Sequence, residues 1–197
     1  MPTDRIRRAI DEITAKPDPV RLAQIAALAS EASDAAETGR APLDPIMDEL
    51  EALTGFREDR AYWASFHGGD GPDAFAAQIA VPLPSPITDL EQTEIAALLA
   101  LEADLRLSDD QPVYMRVLNY LTGCLAPAFD TNLIYWPHRE MSARELLDEV
   151  LRRQAILLAK GIAGLDAYER GLAADVLAAD DAPPWAQHWA SRIMKRD

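Results

Sequence analysis

Helix start and stop signals recur along this chain from end to end, while strand signals are almost absent. Asp18-Pro19 joins a capping side chain to a proline at the first helical position, where the backbone needs no N–H. The helix it opens should run to about Thr38 and stop at Gly39. Asp44-Pro45 repeats the device, and Gly55 closes the helix that follows. Thr88-Asp-Leu-Glu91 and Ser142-Ala-Arg-Glu145 are capping boxes, in which hydroxyl and carboxylate each satisfy a backbone donor of the first turn. A chain assembled from such segments must bury helical stripes against one another. The fold class it specifies is all-α.

Apolar spacing assigns the faces. Thr3 can cap a first helix over 4–15 that places Ile6, Ile10 and Ile13 on one side, and Pro17 stops it. In the second helix the stretch Ser30 to Glu37 offers little to bury and is expected to lie exposed. A helix around 57–66 presents Tyr62, Trp63 and Phe66, and a short one follows over 73–80. After the first capping box, Ile95, Leu98, Leu99 and Leu101 make a helix that is apolar on most sides and should be central. Val117, Leu118 and Leu121 lie on the next, over 112–125. The second capping box starts a long helix to about Lys160. Leu146, Leu147, Val150, Leu151 and Leu158 are read as inward, and Arg144, Glu145, Asp148, Glu149 and Arg152 as outward. Gly161 ends it. Helices over 166–178 and 183–195 complete the chain, the last with Trp185, Trp189 and Ile193 at helical spacing.

The expectation is a single domain over 1–197, an irregular bundle of about nine helices. The one internal boundary is the proline-rich crossover 81–87, which cannot be helical. Leu133 to Trp136 is the only strand signal, and one strand without a partner makes no sheet. No segment repeats at a fixed period, which argues against a helical solenoid.

Charge is concentrated. Residues 31–110 carry 18 Asp and Glu against 4 Arg and no Lys, a net of −14 that equals the formal charge of the whole chain. Such a field opposes nucleic acid and anionic membranes, both of which need cationic surface. It suits a basic protein partner. The longest nearly apolar run, Ile95 to Leu101, is seven residues, where a spanning helix needs about 20. The amino terminus has no apolar stretch or cleavage site of a secretory signal. With Cys124 as the lone cysteine, a cytoplasmic location is the default expectation.

Catalytic templates are missing: no P-loop, no nucleophile elbow, no zinc spacing. No cofactor is called for. His67, Asp70 and Asp73 share a glycine-rich turn and are read as a solvated turn in which Asp73 caps the next helix, not as a metal site. Cys124 at an apolar helix end reads as a core residue, and His188 falls off the stripe of Trp185 and Trp189.

Two groups remain as partner-binding candidates. Glu31, Asp34 and Glu37, with Asp48 and Glu51, recur at helical spacing and would form charged faces. Tyr135, Trp136 and His138 sit in a loop with a proline between the last two. The first reading is therefore a small acidic helical module that docks a basic protein. Inhibitors of the immunity or antitoxin type share its charge and size, and the analogy goes no further. The alternatives are an enzyme or small-ligand binder with a pocket in the aromatic loop 133–140, and a self-associating subunit such as a homodimer.

Overall fold

Ten helices and no strand make up the described residues of the computed structural model, which are 3–39, 42–66, 71–135 and 139–195. With 74% of these residues helical, the all-α expectation holds. The chain forms two compact units. An N-terminal unit takes Asp4–Ser85 and Ser108–Val117; a C-terminal unit takes Met1–Thr3, Pro86–Leu107 and Leu118–Asp197. The chain leaves the first unit at Ser85, inside the proline-rich segment.

The N-terminal unit is organised by α2 (Pro19–Thr38), which packs against α3 (Leu43–Thr54), α4 (Arg60–Ala64) and α5 (Gly71–Ile79). The Asp18 carboxylate accepts the N–H groups of Val20 and Arg21 at 3.0 and 2.9 Å. Gly39 and Gly55 close α2 and α3 in the left-handed conformation. The second half of α2 does not lie exposed. Ala29, Ala32, Ser33, Ala35 and Ala36 are all buried, and the Ser33 hydroxyl donates to the Trp63 carbonyl at 3.0 Å. Small side chains bury little area apiece but let neighbouring backbones approach, which a reading by hydropathy misses. Trp63 is fully buried, its ring centroid 5.0 to 6.4 Å from those of Phe56, Tyr62, Phe66 and Phe75. Two starts also differ from expectation. α3 begins at Leu43 after Pro42, which leaves Asp44 in the first turn beside the helix N-terminus. α4 spans only five residues because Asp59, accepting from the Tyr62 N–H at 2.9 Å, caps it late.

One buried arginine fastens this unit. α1 (Asp4–Ile13) ends near Arg116, which stands in the first half of α7 (Gln111–Leu125) and is 2% exposed. Its Nε donates to the Ile13 carbonyl at 2.8 Å, Nη1 to Ala77 at 2.7 Å and Nη2 to Ala15 at 3.2 Å. A guanidinium thus satisfies carbonyls at the ends of α1 and α5, where the helix dipoles favour a cation. Burial lowers its pKa, and Asp110 acts in the opposite direction.

The C-terminal unit contains α6 (Gln92–Arg106), the second half of α7, α8 (Asn132–Tyr135), α9 (Ala143–Ala178) and α10 (Pro184–Ile193). Ile95, Leu98, Leu99, Leu118, Leu121 and Val150 are each at most 1% exposed, as is Val117 in the other unit. Leu147 and Leu151 are half-buried. α6 starts later than the Thr88 box implies. Glu91 and Glu94 form the capping box instead, and the fully buried Glu94 also accepts the Thr3 hydroxyl, which fixes the start. The strand signal at Leu133 to Trp136 is overturned: residues 133–135 are helical in α8, and Trp136 lies outside the described residues. So short an apolar run has no periodicity to separate strand from helix, and the described residues hold no partner strand to decide it.

α9 is two arms, 143–160 and 162–178, broken at Gly161 where φ is 66° and ψ −166°. Only glycine adopts that region readily. A continuous helix would hold residues 16 apart at about 24 Å. Instead Arg153 Nη1 lies 2.8 Å from Glu169 Oε1, so the arms fold back as an antiparallel hairpin. The contact explains two further corrections. Glu149 is 4% exposed, not outward, and Leu158 is 91% exposed, not inward. Arg153 Nε pairs with Glu149 Oε1 at 3.0 Å, and the Tyr168 hydroxyl donates to Glu149 Oε2 at 2.9 Å. The paired charges occupy the stripe facing the second arm and rotate Leu158 out of it. α10 packs Trp189, Ala190 and Ile193 onto Ala173, Leu172 and Val176 of the second arm.

Candidate functional site

The acidic candidates are all solvent-exposed. At 100° per residue, the buried positions of α2 from Ile25 to Ala36 cover an arc of about 160°. Glu31, Asp34 and Glu37 fall in the middle of the opposite side, turned away from α3, α4 and α5. On α3, Asp48 and Glu51 lie off the buried stripe of Leu43, Ile46, Met47 and Leu50. Here sequence reasoning missed a partner. Arg57 Nη1 bridges Asp48 and Glu51, 2.7 Å from each, and their two hydrogen bonds raise its pKa. The bridge offsets repulsion within α3, and its signal was one arginine just past the Gly55 cap. Arg60 Nη1 donates to the Ala36 and Ala35 carbonyls at 3.1 and 3.4 Å, and so places its charge at the end of α2.

The second candidate group is placed in part. Tyr135 ends α8 and is 47% exposed. Trp136 and His138 lie outside the described residues, as do His67 and Asp70. Asp73 is exposed in the first turn of α5 and not at its cap. Around the described part of the loop is a cavity of about 320 Å³ within the C-terminal unit. Arg106, Leu133, Ile134, Glu140, Met141 and Leu146 line it. Arg106 is held there by Glu102, which is fully buried: Nε donates to Oε1 at 2.9 Å and Nη2 to Oε2 at 2.7 Å. Sequence reasoning missed the pair, although Glu and Arg four apart on one helix is a legible spacing.

A second cavity, of about 390 Å³, opens beside Cys124 and is walled by Leu90, Gln154, Leu157 and Leu158. Cys124 is 6% exposed, and burial pushes the pKa of its thiol up, against hydrogen bonds from the Ile87 backbone and the Tyr120 side chain. A raised pKa withholds the thiolate that nucleophilic chemistry uses. His188 is exposed on α10. Among the described residues no three His, Cys, Asp or Glu side chains are arranged as metal ligands, and no helix is long and apolar enough to cross a membrane. No protein-family model matches the sequence, and comparison with curated proteins and with solved structures returned no match.

Proposed function

We propose that the protein is a helical docking module whose acidic α2 and α3 engage a basic protein partner. The observation that carries this reading is the position of Glu31, Asp34 and Glu37. Three carboxylates occupy the side of α2 opposite its buried arc, so the helix spends none of its own packing on them. Like charges three residues apart cost a helix a few tenths of a kcal/mol per pair, about 0.2–0.5. An exposed field of this kind acts chiefly on encounter: it accelerates association with an opposite charge and makes the rate depend on salt.

The test compares the wild type with Glu31→Gln/Asp34→Asn/Glu37→Gln. Basic proteins from the source cell are captured on each at low salt, released by a salt gradient and identified. Association rates of the recovered partner are then measured against ionic strength. The substitution should leave the fold at least as stable, slow association about tenfold and flatten the salt response. A partner whose association rate is unchanged by the triple substitution would refute docking through this face.

A further inference from the structure

We propose that the C-terminal unit pairs with a second copy of this chain, Leu158 of each copy entering the cavity beside Cys124 of the other. From Gln154 to Leu165, around the tip of the α9 hairpin, Lys160 is the one charged residue. Ala155, Leu158, Ala159, Ile162 and Ala163 are exposed there, Leu158 by 91% and Ile162 by 56%. An apolar residue exposed on its own is ordinary. Here the exposed side chains are grouped at one end of a hairpin, and Leu158 also stands on the rim of a cavity of about 390 Å³. The surface belongs to the C-terminal unit and the acidic α2 and α3 to the other, so the pairing is independent of the docking proposed above.

The wall of the cavity sets the chemistry of its occupant. Leu90, Leu125, Ala126 and Leu157 line it, with Thr88 and Gln154 as polar groups, and among the described residues no charged side chain does. It takes an aliphatic group. A dry cavity of about 150 Å³ already accepts a benzene ring, so this one has room for a leucyl side chain and a neighbour. A knob beside a hole on one surface is what a two-fold axis satisfies. When Leu158 of one copy fills the cavity of the second, the axis seats the second copy's knob in the first. An anchor side chain in a pocket is also the usual centre of a binding surface.

Charge fits the same pairing. Lys160 is exposed and has no ion pair or hydrogen bond among the described residues. The segment that brings Thr88 and Leu90 to the cavity carries Asp89, and Glu91 follows it. Both carboxylates already engage their own chain, so the attraction comes from opposite sign across the interface and not from a free oxygen. A chain of net charge −14 meets its copy most readily where carboxylates are few and a cation answers an anion.

The experiment is sedimentation equilibrium of the intact protein at concentrations up to about 500 µM. The mass should rise from 21.6 kDa towards twice that value. A small interface of this kind should give a Kd of about 1–100 µM. Leu158→Glu should weaken pairing at least about tenfold and leave the circular dichroism spectrum unchanged, because the side chain is exposed. Ala126→Lys, at an exposed position of the cavity wall, should do the same. Lys160→Glu should weaken pairing at least about threefold, most at low salt. The decisive sample mixes Leu158→Glu with Ala126→Lys. Their heterodimer keeps one undamaged knob in one undamaged cavity and sets the new carboxylate against the new ammonium at the other. The mixture should therefore pair more tightly than either variant alone. A wild type that stays monomeric at about 500 µM would overturn the proposal. So would a dimer that Leu158→Glu or Lys160→Glu does not weaken, or a mixture that pairs no more tightly than its components.

Discussion

Arg116 shows how much of one unit can rest on one side chain. Its guanidinium donates to three carbonyls at or just past two helix ends, of which the Ile13 bond is buried and the Ala15 and Ala77 bonds only partly so, and a buried carbonyl left without a donor costs about 1–3 kcal/mol. Arg116→Ala should therefore destabilise the protein by about 1–3 kcal/mol in a urea titration. Glu145 behaves differently because it lies at the surface. The Ser142 backbone N–H, Arg139 and the Ser142 hydroxyl hold its carboxyl down to about 2. A carboxylate with a depressed pKa contributes stability that is full above its ordinary range near 4.5 and lost as the pH falls through about 2. The stability difference between wild type and Glu145→Gln should accordingly stay level above about pH 5 and vanish as the pH approaches 2 in acid titrations.

At the scale of elements, glycines in the same helix carry opposite predictions. Gly161 sits at φ 66°, so Gly161→Ala should cost about 1–3 kcal/mol and loosen the α9 hairpin. Gly171 is helical with open space around its Cα, so Gly171→Ala should stabilise by roughly 1 kcal/mol. Differential scanning calorimetry of the two variants checks both signs. The sequence states this break plainly, as it does the Asp18 cap, the Gly39 and Gly55 stops and the Ser142 box, because each is a local signal acting on its own backbone. What it hides is compensation at a distance. Glu149 looks like a surface residue until the hairpin brings Tyr168 to it and Glu169 to its neighbour Arg153, and a hydropathy reading has no place for a charge whose surroundings arrive through folding. The alanines of α2 hide for a related reason: their burial depends on what packs against them, not on their own apolar area. The candidate site divides the same way. The carboxylates of α2 are legible as a solvated stripe, whereas the cavity wall needs α6, α8 and α9 to be assembled before Arg106 and Glu140 share it.

Across the whole molecule the formal charge of −14 is a liability to the compact state, since like charges repel more when folded together. Sodium chloride rising from 10 to 150 mM should raise the Tm, and the triple substitution on α2 should shrink that rise. The division into units has a consequence in time rather than in energy. The N-terminal unit is not continuous in the chain: it needs Asp4–Ser85 and then, after an excursion through Pro86–Leu107, Ser108–Val117. A ribosome delivers α1 through α5 first, with the Ile13, Ala15 and Ala77 carbonyls waiting. It must then synthesise α6, which belongs to the other unit, before Arg116 emerges. The first unit to be started is thus finished only when the second is already under way, and a nascent chain halted in α6 would hold five helices with their fastening still unwritten.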